Sequence, residues 1–433
     1  MEEAFLHFMW KFQSFNKKGL KTSSGEIVEI IKPGIHNSDA GPDFLNAQVI
    51  IDGIEWFGHV EIHIKSSDWY KHKHELDPGY DNVILHVVFE NDQKILRKDI
   101  TELPCLALSD RLDFALYGNY KDLISSISAV PCSYKLQDTS SEIKYSMLDK
   151  ALFQRLENKG TLVLKLLKEN NYDWEETAYQ YLGKNFGFKI NSEAFHDLTK
   201  ILPYKIIKKH ADNLLQIEAL LFGIANLIPE KPVDDYSRLL KREYNFLGHK
   251  YSLTGKELNK GVWKFLRLRP ANFPTIRLSQ FAAVLSSVKN LFSALIETKD
   301  IKAVEAIFSA VPSDYWKNHY HFNKESSFIN NGIGVNSIEN IVINTICPLL
   351  AAYRIEKDDL QWIDKSVSLL ESIKAENNRI TKLFGKKIFS IKSAFDSQAL
   401  IELHNNFCSQ RKCLECSIGT SIVRNTAKSL INH

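Results

Sequence analysis

Hydrophobic positions change period once along this chain. Residues 2 to 15 carry apolar side chains at helical spacing. Four segments of alternating or β-rich character follow: EIVEII (26–31), NAQVII (46–51), IEWFGHVEIHIK (54–65) and NVILHVVFEN (82–91). Asp52-Gly53, between the second and third, is a two-residue hairpin signal. From about residue 141 the period becomes helical, as in EIKYSMLDKALFQRLENKGTLVLKLLKE and ADNLLQIEALLFGIANLI, with loops such as LRLRPANFPTIRL and FINNGIGVNS between. The change predicts an N-terminal α/β domain over 1–130 and a larger all-α domain over 131–433, with the border between 120 and 142. No fixed-period repeat or low-complexity tract interrupts this pattern.

Composition adds a setting. A chain of 433 residues with 44% hydrophobic and 25% charged residues is long enough for two or three cored domains. The start, MEEAFLHFMWKFQSF, lacks the basic opening of an export signal, and no run of about 18 uncharged apolar residues is present. Six cysteines are too few for a disulfide scaffold in a chain of this length, so the expected location is cytoplasmic, with no membrane contact. The net charge of +3 hides an asymmetry. Residues 1–130 hold 13 Lys and Arg against 20 Asp and Glu, a net −7, and seven of the 14 histidines; the remainder carries +10. A cation site beside a polyanion-binding surface produces that division, and so do unequal solvated faces.

The hairpin sharpens the first of these. With Asp52 and Gly53 as its turn, Ile51 pairs with Ile54, and Asp43 falls opposite Ile62, one position from Glu61. Glu61, His63 and Lys65 alternate onto one face, and a bulge or the turn after Pro42 would bring Asp43 onto it. Carboxylates meeting there repel unless a cation separates them, and Mg²⁺ suits oxygen ligands with several waters. A solvated polar strand is the plainer reading of the same residues. His59, His63, His72, His74, Asp77 and His86 also lie within 28 residues, a set that suits zinc or another borderline transition metal in a hydrolase. His86, at a strand centre, reads equally as a core histidine, and His72 and His74 as phosphate or solvent contacts.

Two further groups stand in the rear of the chain. His404, Cys408, Cys413 and Cys416 have spacing open to Zn²⁺ or an iron-sulfur cluster, or to burial as small hydrophobes. Arg267, Arg269 and Arg277 surround Asn272 and Phe273, and Lys386 and Lys387 sit in RITKLFGKKIFSIK. These are expected nucleic-acid contacts or, alternatively, solvated helix faces. No Walker A string and no strand-linked G-x-G-x-x-G is present, which disfavours kinases and dinucleotide enzymes.

Pro42-Asp43 followed by Glu61-Ile62-His63 resembles the PD-(D/E)XK phosphodiesterase superfamily of nucleases. The resemblance implies a mixed sheet with a flanking helix and Mg²⁺-dependent cleavage of nucleic acid. Asp43, Glu61 and the Ile62 carbonyl would hold the ion, and Glu3 (or Glu2) would be the helical acid. His63 stands where that superfamily has lysine, and Lys65 would supply the ammonium instead. Some members clamp a 4Fe-4S cluster with three C-terminal cysteines and one remote cysteine, which implies Cys132 as the fourth ligand, with His404 the alternative. The strings NSDAGPDFLNA, GHVEIHIKSSDWYKHKHELDPGYDNVILHVV, QIEALLFG, RPANFPTIRLSQ, FDSQALIELH and FCSQRKCLECSIG are similar to a bacterial family of uncharacterised proteins, a domain of unknown function. The function expected is a metal-dependent phosphodiesterase acting on nucleic acid. A non-catalytic nucleic-acid or protein binding module and a His/Asp transition-metal hydrolase are the alternatives.

Overall fold

The protein is described here by a computed structural model covering residues 1–37, 39–232, 234–326, 332–385 and 389–424. Its first helix, α1 (Glu3–Lys11), buries Phe5, Leu6, Phe8, Met9 and Trp10. Glu3 and His7, four apart, share another face of the helix. The strands are β1 (Val28–Lys32), β2 (Ile35–His36), β3 (Phe44–Ile51), β4 (Ile54–Lys65), β5 (Val83–Glu90) and β6 (Cys105–Ala107). They form one mixed sheet in the order β1-β3-β4-β5-β6, with β2 paired to β3. The β1/β3 and β3/β4 pairs are antiparallel, whereas β4/β5 and β5/β6 are parallel.

Asp52 and Gly53, at φ +50° and +83°, make the tight hairpin turn, and Ile51 pairs with Ile54. The register then shifts once: Ala47 faces Gly58, but Phe44 faces Val60. Between them Asn46 adopts φ +57°, a β-bulge whose free N–H donates to His59 Nδ1 at 3.3 Å. The bulge brings Asp43 level with Glu61 rather than Ile62. Gly58 is needed where β4 meets β5, since a Cβ there would stand 2.5 Å from Asn82 O and from an Ile84 methyl. Between β4 and β5 the chain makes the short helix α2 (Asp68–Lys71) and two 3₁₀ turns around His74–Leu76 and Pro78–Tyr80. Trp69, Val83, Ile95 and Leu103 pack together beneath them.

The domain border differs from the expected one. One compact unit comprises Met1–Met147 together with the segment from Leu403 onward, and the other is Leu148–Glu402. The helix Ser141–Glu169 carries the first border, which is why a change in periodicity marks the start of the helix and not the edge of the unit. The cysteine-bearing C-terminal segment therefore belongs with the sheet, and the helical unit is an insertion. That unit is built on buried aromatic contacts among Tyr179, Phe186, Phe195 and Phe281, and it also contains a two-stranded ribbon, His319–His321 with Lys324–Glu325. By length and composition Val335–Lys357 is apolar enough to cross a bilayer, but 67% of its most apolar window is buried in the protein, as in a core helix.

Candidate metal centre

Five segments deliver titratable side chains to one place. From the start of β3 comes Asp43, and from β4 come Glu61 and His63. The loop after α2 supplies His72 and His74, β5 supplies His86, and α1 supplies Glu3 and His7. Strand pairing explains the first contacts: Glu61 is the register partner of His86 across the parallel β4/β5 pair. Asp43 and Glu61 clasp each other through the backbone, with Asp43 N–H donating to Glu61 Oε2 at 3.1 Å and Ile62 N–H donating to Asp43 Oδ2 at 2.9 Å. Glu61 Oε1 is thereby left to face the histidines, 3.2 Å from His74 Nε2 and 3.5 Å from His63 Nε2.

The imidazoles converge on the same point. His63 Nε2 is 3.0 Å from His72 Nδ1, while its Nδ1 is 2.9 Å from His86 Nε2. One ring nitrogen from each of His63, His72 and His74 lies within 4.8 Å of the others. Two nitrogens each about 2.1 Å from one ion, at octahedral or tetrahedral angles, lie about 3.0 to 3.4 Å apart. His74 Nε2, although 3.2 Å from Glu61 Oε1, has no aligned hydrogen-bond partner. A lone pair and a carboxylate oxygen side by side but not aimed at each other are what two ligands of a common ion look like. Lys73, between His72 and His74, sits at φ +63°, a strained conformation for a side chain with a Cβ. Tyr80 stacks on His74 at 3.8 Å and Trp69 meets the His74 and His86 rings at 5.4 Å, fixing their orientation.

Electrostatics keep His63 and His86 neutral, the form that binds metal. Burial, followed by the neighbouring rings, lowers His63 to about 3, and burial then His74 lowers His86 to about 3. Burial raises Glu61, helped by the nearby Asp43 charge and opposed by His74. Glu3 is raised chiefly by burial. For His7, burial alone acts downward, but Asp43, with its Oδ2 3.3 Å from His7 Nε2, outweighs it together with Glu3 and Glu61 and holds the ring above its ordinary value. Beside His74 and Tyr80 opens a cavity of about 200 Å³ bordered by Arg97 and Lys98.

Several expected residues stand elsewhere. Lys65 is half exposed and turned to Glu90 and Asp92, 3.7 and 4.0 Å away, because its strand ends beside that of Glu90; it brings no ammonium to the cluster. His59 serves the bulge, and Asp77 accepts from Gly79 N–H to cap a turn. Arg277 is buried. Its guanidinium is held by Gln280, Asn272 and Ser337 and stacked over Phe188 at 4.3 Å, so it braces the helical unit and does not face a nucleic-acid strand. Arg267 and Arg269 are exposed, and Lys386 and Lys387 lie outside the described residues. His404 bonds its neighbour Asn405 at 3.0 Å. Sequence reasoning missed His7, for which the signal was its spacing of four from Glu3 on one helix.

Imidazoles and carboxylates gathered on a mixed sheet define a candidate metal-binding centre. The chain belongs to the DUF2851 family, described as a protein of unknown function, which it matches over residues 3–379. The matched span includes every member of this cluster. No curated protein and no solved structure matches the chain.

Proposed function

We propose that this protein is a metal-dependent phosphodiesterase acting on nucleic acid, with its ion held by Glu61, His63, His72 and His74 and with Asp43 beside them. The observation that carries this reading is the convergence of ring nitrogens of His63, His72 and His74 within 4.8 Å of one another, with Glu61 Oε1 3.5 and 3.2 Å from those of His63 and His74. The surrounding order of elements supports the phosphodiester part. A helix bearing Glu3, an antiparallel hairpin bearing Pro42-Asp43 and Glu61-Ile62-His63, and parallel strands beyond it are the arrangement implied by the nuclease resemblance.

The donor set moves the choice of ion. Carboxylates alone favour Mg²⁺, but three imidazoles favour a borderline metal, and Mn²⁺ or Zn²⁺ fits the mixed set better. Such an ion supplies Lewis acidity toward a phosphoryl oxygen and lowers the pKa of a bound water. The protein's own groups do the remainder. His86 orients His63 through the Nδ1 contact. Asp43, clamped by Ile62 N–H, fixes His7 next to the cluster as the imidazole placed to take up a proton. His63 occupies the position where the nuclease pattern has lysine, and it serves as ligand.

A second reading, a nucleic-acid binding module that does not cut, is favoured by one observation: Lys65 is committed to Glu90 and Asp92. The deciding experiment measures bound metal and then cleavage of single- and double-stranded DNA and RNA with Mn²⁺, Zn²⁺, Mg²⁺ and Fe²⁺. Cleavage lost in His72→Ala and His74→Ala, together with about one ion lost per chain, is the expected result. Binding without cleavage under every metal supports the module. A wild-type protein that takes up no metal at the cluster overturns the proposal.

A further inference from the structure

Arg277 stands in the helical unit as a buried cation without an anion. It is 7% exposed. From the helix Pro274–Ser287 its guanidinium reaches three neutral acceptors: Nη1 donates to Gln280 Oε1 at 3.0 Å, and Nη2 donates to Asn272 Oδ1 at 2.6 Å and to Ser337 Oγ at 3.1 Å. Its Nε–H, also buried, has no hydrogen-bond partner among the described residues. No carboxylate pairs with it among them either, and burial, with no charge opposing it, lowers its pKa to about 10. Arg155 of the same unit is arranged otherwise, with Nη1 3.5 Å from Glu402 Oε2. Three neutral partners fix the direction of the Arg277 guanidinium but leave its charge whole, and a buried charge left whole is unfavourable.

A cavity of about 370 Å³ opens against this side chain. Its walls include Arg277 and the exposed Lys189 and contain no Asp or Glu. Asn336 and Asn340, four apart on the helix Val335–Ile341, bring two amides to one side of it. The loop that carries Phe188 holds an aromatic ring under the cation. Phe188 takes φ +48°, a left-handed conformation that strains a residue with a Cβ, and Arg277 stacks over its ring at 4.3 Å. Gly187 is needed at that turn, since a Cβ there would stand 2.3 Å from Asn191 O. Asn191 ties the loop to Lys264, donating to its carbonyl at 3.0 Å and accepting from its N–H at 2.8 Å. Cavities of roughly 300 to 1,000 Å³ with apolar walls and a few fixed polar groups are the usual sites of small organic molecules. A nucleic-acid backbone does not reach a guanidinium this deeply buried, whereas a small acid that enters the cavity does.

We propose that this cavity binds a small organic anion, whose carboxylate or phosphate group accepts from Arg277 Nε–H and supplies the missing negative charge while its apolar body lies against Phe188, Phe195 and Leu268. A hydrogen bond between two charged groups is stronger than one to a neutral acceptor, so the anion is preferred over a neutral molecule of the same shape. Lys189, at the exposed side of the cavity, adds attraction over a longer range. The site lies wholly within the helical unit, and the inference does not rest on the phosphodiesterase reading.

The test is titration calorimetry on the full-length chain with chelator present, so that the metal centre of the sheet unit takes no part. The probes are benzoate, hexanoate and phenyl phosphate, with benzamide as the neutral match for benzoate. At least one anion should bind at one site per chain with a Kd of about 1 mM or tighter, the range open to a ligand of this size. Benzamide should bind at least about tenfold more weakly than benzoate. A carboxylate that binds more tightly than phenyl phosphate assigns the natural ligand as an organic acid, and the reverse order assigns a phosphate monoester. Arg277→Met should weaken the bound anion by about thirtyfold or more. Should that variant fail to fold, Lys189→Glu, at an exposed position, places a competing acid in the wall and should weaken binding by about threefold to tenfold, more at low salt. No anion bound below about 10 mM, benzamide bound as tightly as benzoate, or affinity unchanged in the variants overturns the proposal. An oligonucleotide held through Arg277 while none of the small anions binds overturns it as well.

Discussion

Replacing Glu61 with Gln should have opposite effects on the metal-free and metal-loaded protein. Glu61 is 4% exposed, and one of its oxygens is occupied by Asp43 N–H while the other faces His63 and His74. Without an ion, burial and the Asp43 charge make its ionised form costly, as its raised pKa shows. The amide keeps the shape and an acceptor for Asp43 N–H but loses the charge, so chelator-treated Glu61→Gln should melt at or slightly above the wild-type temperature. With an ion present at a hundred times its Kd, wild type gains about 2.7 kcal/mol. A hundredfold loss of affinity on removing the charged ligand leaves about 0.4 kcal/mol of that gain. At about 2 to 4 °C per kcal/mol for a unit of this size, the wild-type upshift is about 5 to 11 °C and the variant's about 1 to 2 °C. Differential scanning fluorimetry with and without Mn²⁺ or Zn²⁺ after chelation measures both. Equal upshifts in the two proteins, or a variant several degrees less stable in chelator, would show that Glu61 serves a structural network and not an ion.

Three other expectations concern the helical unit. Glu218 is fully buried, accepts from Tyr236 O–H at 2.9 Å and from Ser313, and is raised by burial to about 7 from an ordinary 4.5. The folded state therefore binds the extra proton between those values, so this stabilising contribution is full below pH 4.5 and is lost as pH rises through 7, by at most about 3 kcal/mol. Denaturant titrations across that window should show a slope in wild type that Glu218→Gln flattens. Arg277→Ala should lower the unit's stability by about 2 to 4 kcal/mol, because its three side-chain partners lose a buried cation. By contrast Arg267→Ala with Arg269→Ala should leave stability within about 0.5 kcal/mol and act, if anywhere, on the salt dependence of nucleic-acid binding.

Local chemistry made some of this molecule legible. Asp52-Gly53 needs no partner to turn, because its backbone preference is set within four residues, and the pairing of Ile51 with Ile54 follows from it. Alternation in 54–65 and the helical spacing of 2–15 are likewise short-range patterns, and they mark β4 and α1. The cluster was legible only as an inventory: a proline and acid, an acid and histidine two apart, and a His-x-His pair.

Tertiary structure decided the rest. The bulge at Asn46 moves Asp43 by one register position, and its cause is the fit between β3 and its neighbours, to which alternation along one strand is blind. Parallel pairing of β4 with β5 puts His86 behind His63, and with Lys73 left-handed His72 and His74 meet them, gathering imidazoles where strand spacing alone had placed carboxylates. Arg267 and Arg277 are the same residue type ten positions apart, yet Arg277, on the helix Pro274–Ser287, is buried and held by Gln280, Asn272 and Ser337 while Arg267 is exposed, a difference set by what packs around each. Cys132 and the C-terminal cysteines, all buried and all in the unit that contains the sheet, are separated in the chain by a whole folded unit. Side-chain period and turn preference act over a few residues, whereas convergence of distant groups depends on how the elements pack, and that is why the members of each site were visible in the sequence and their meeting was not.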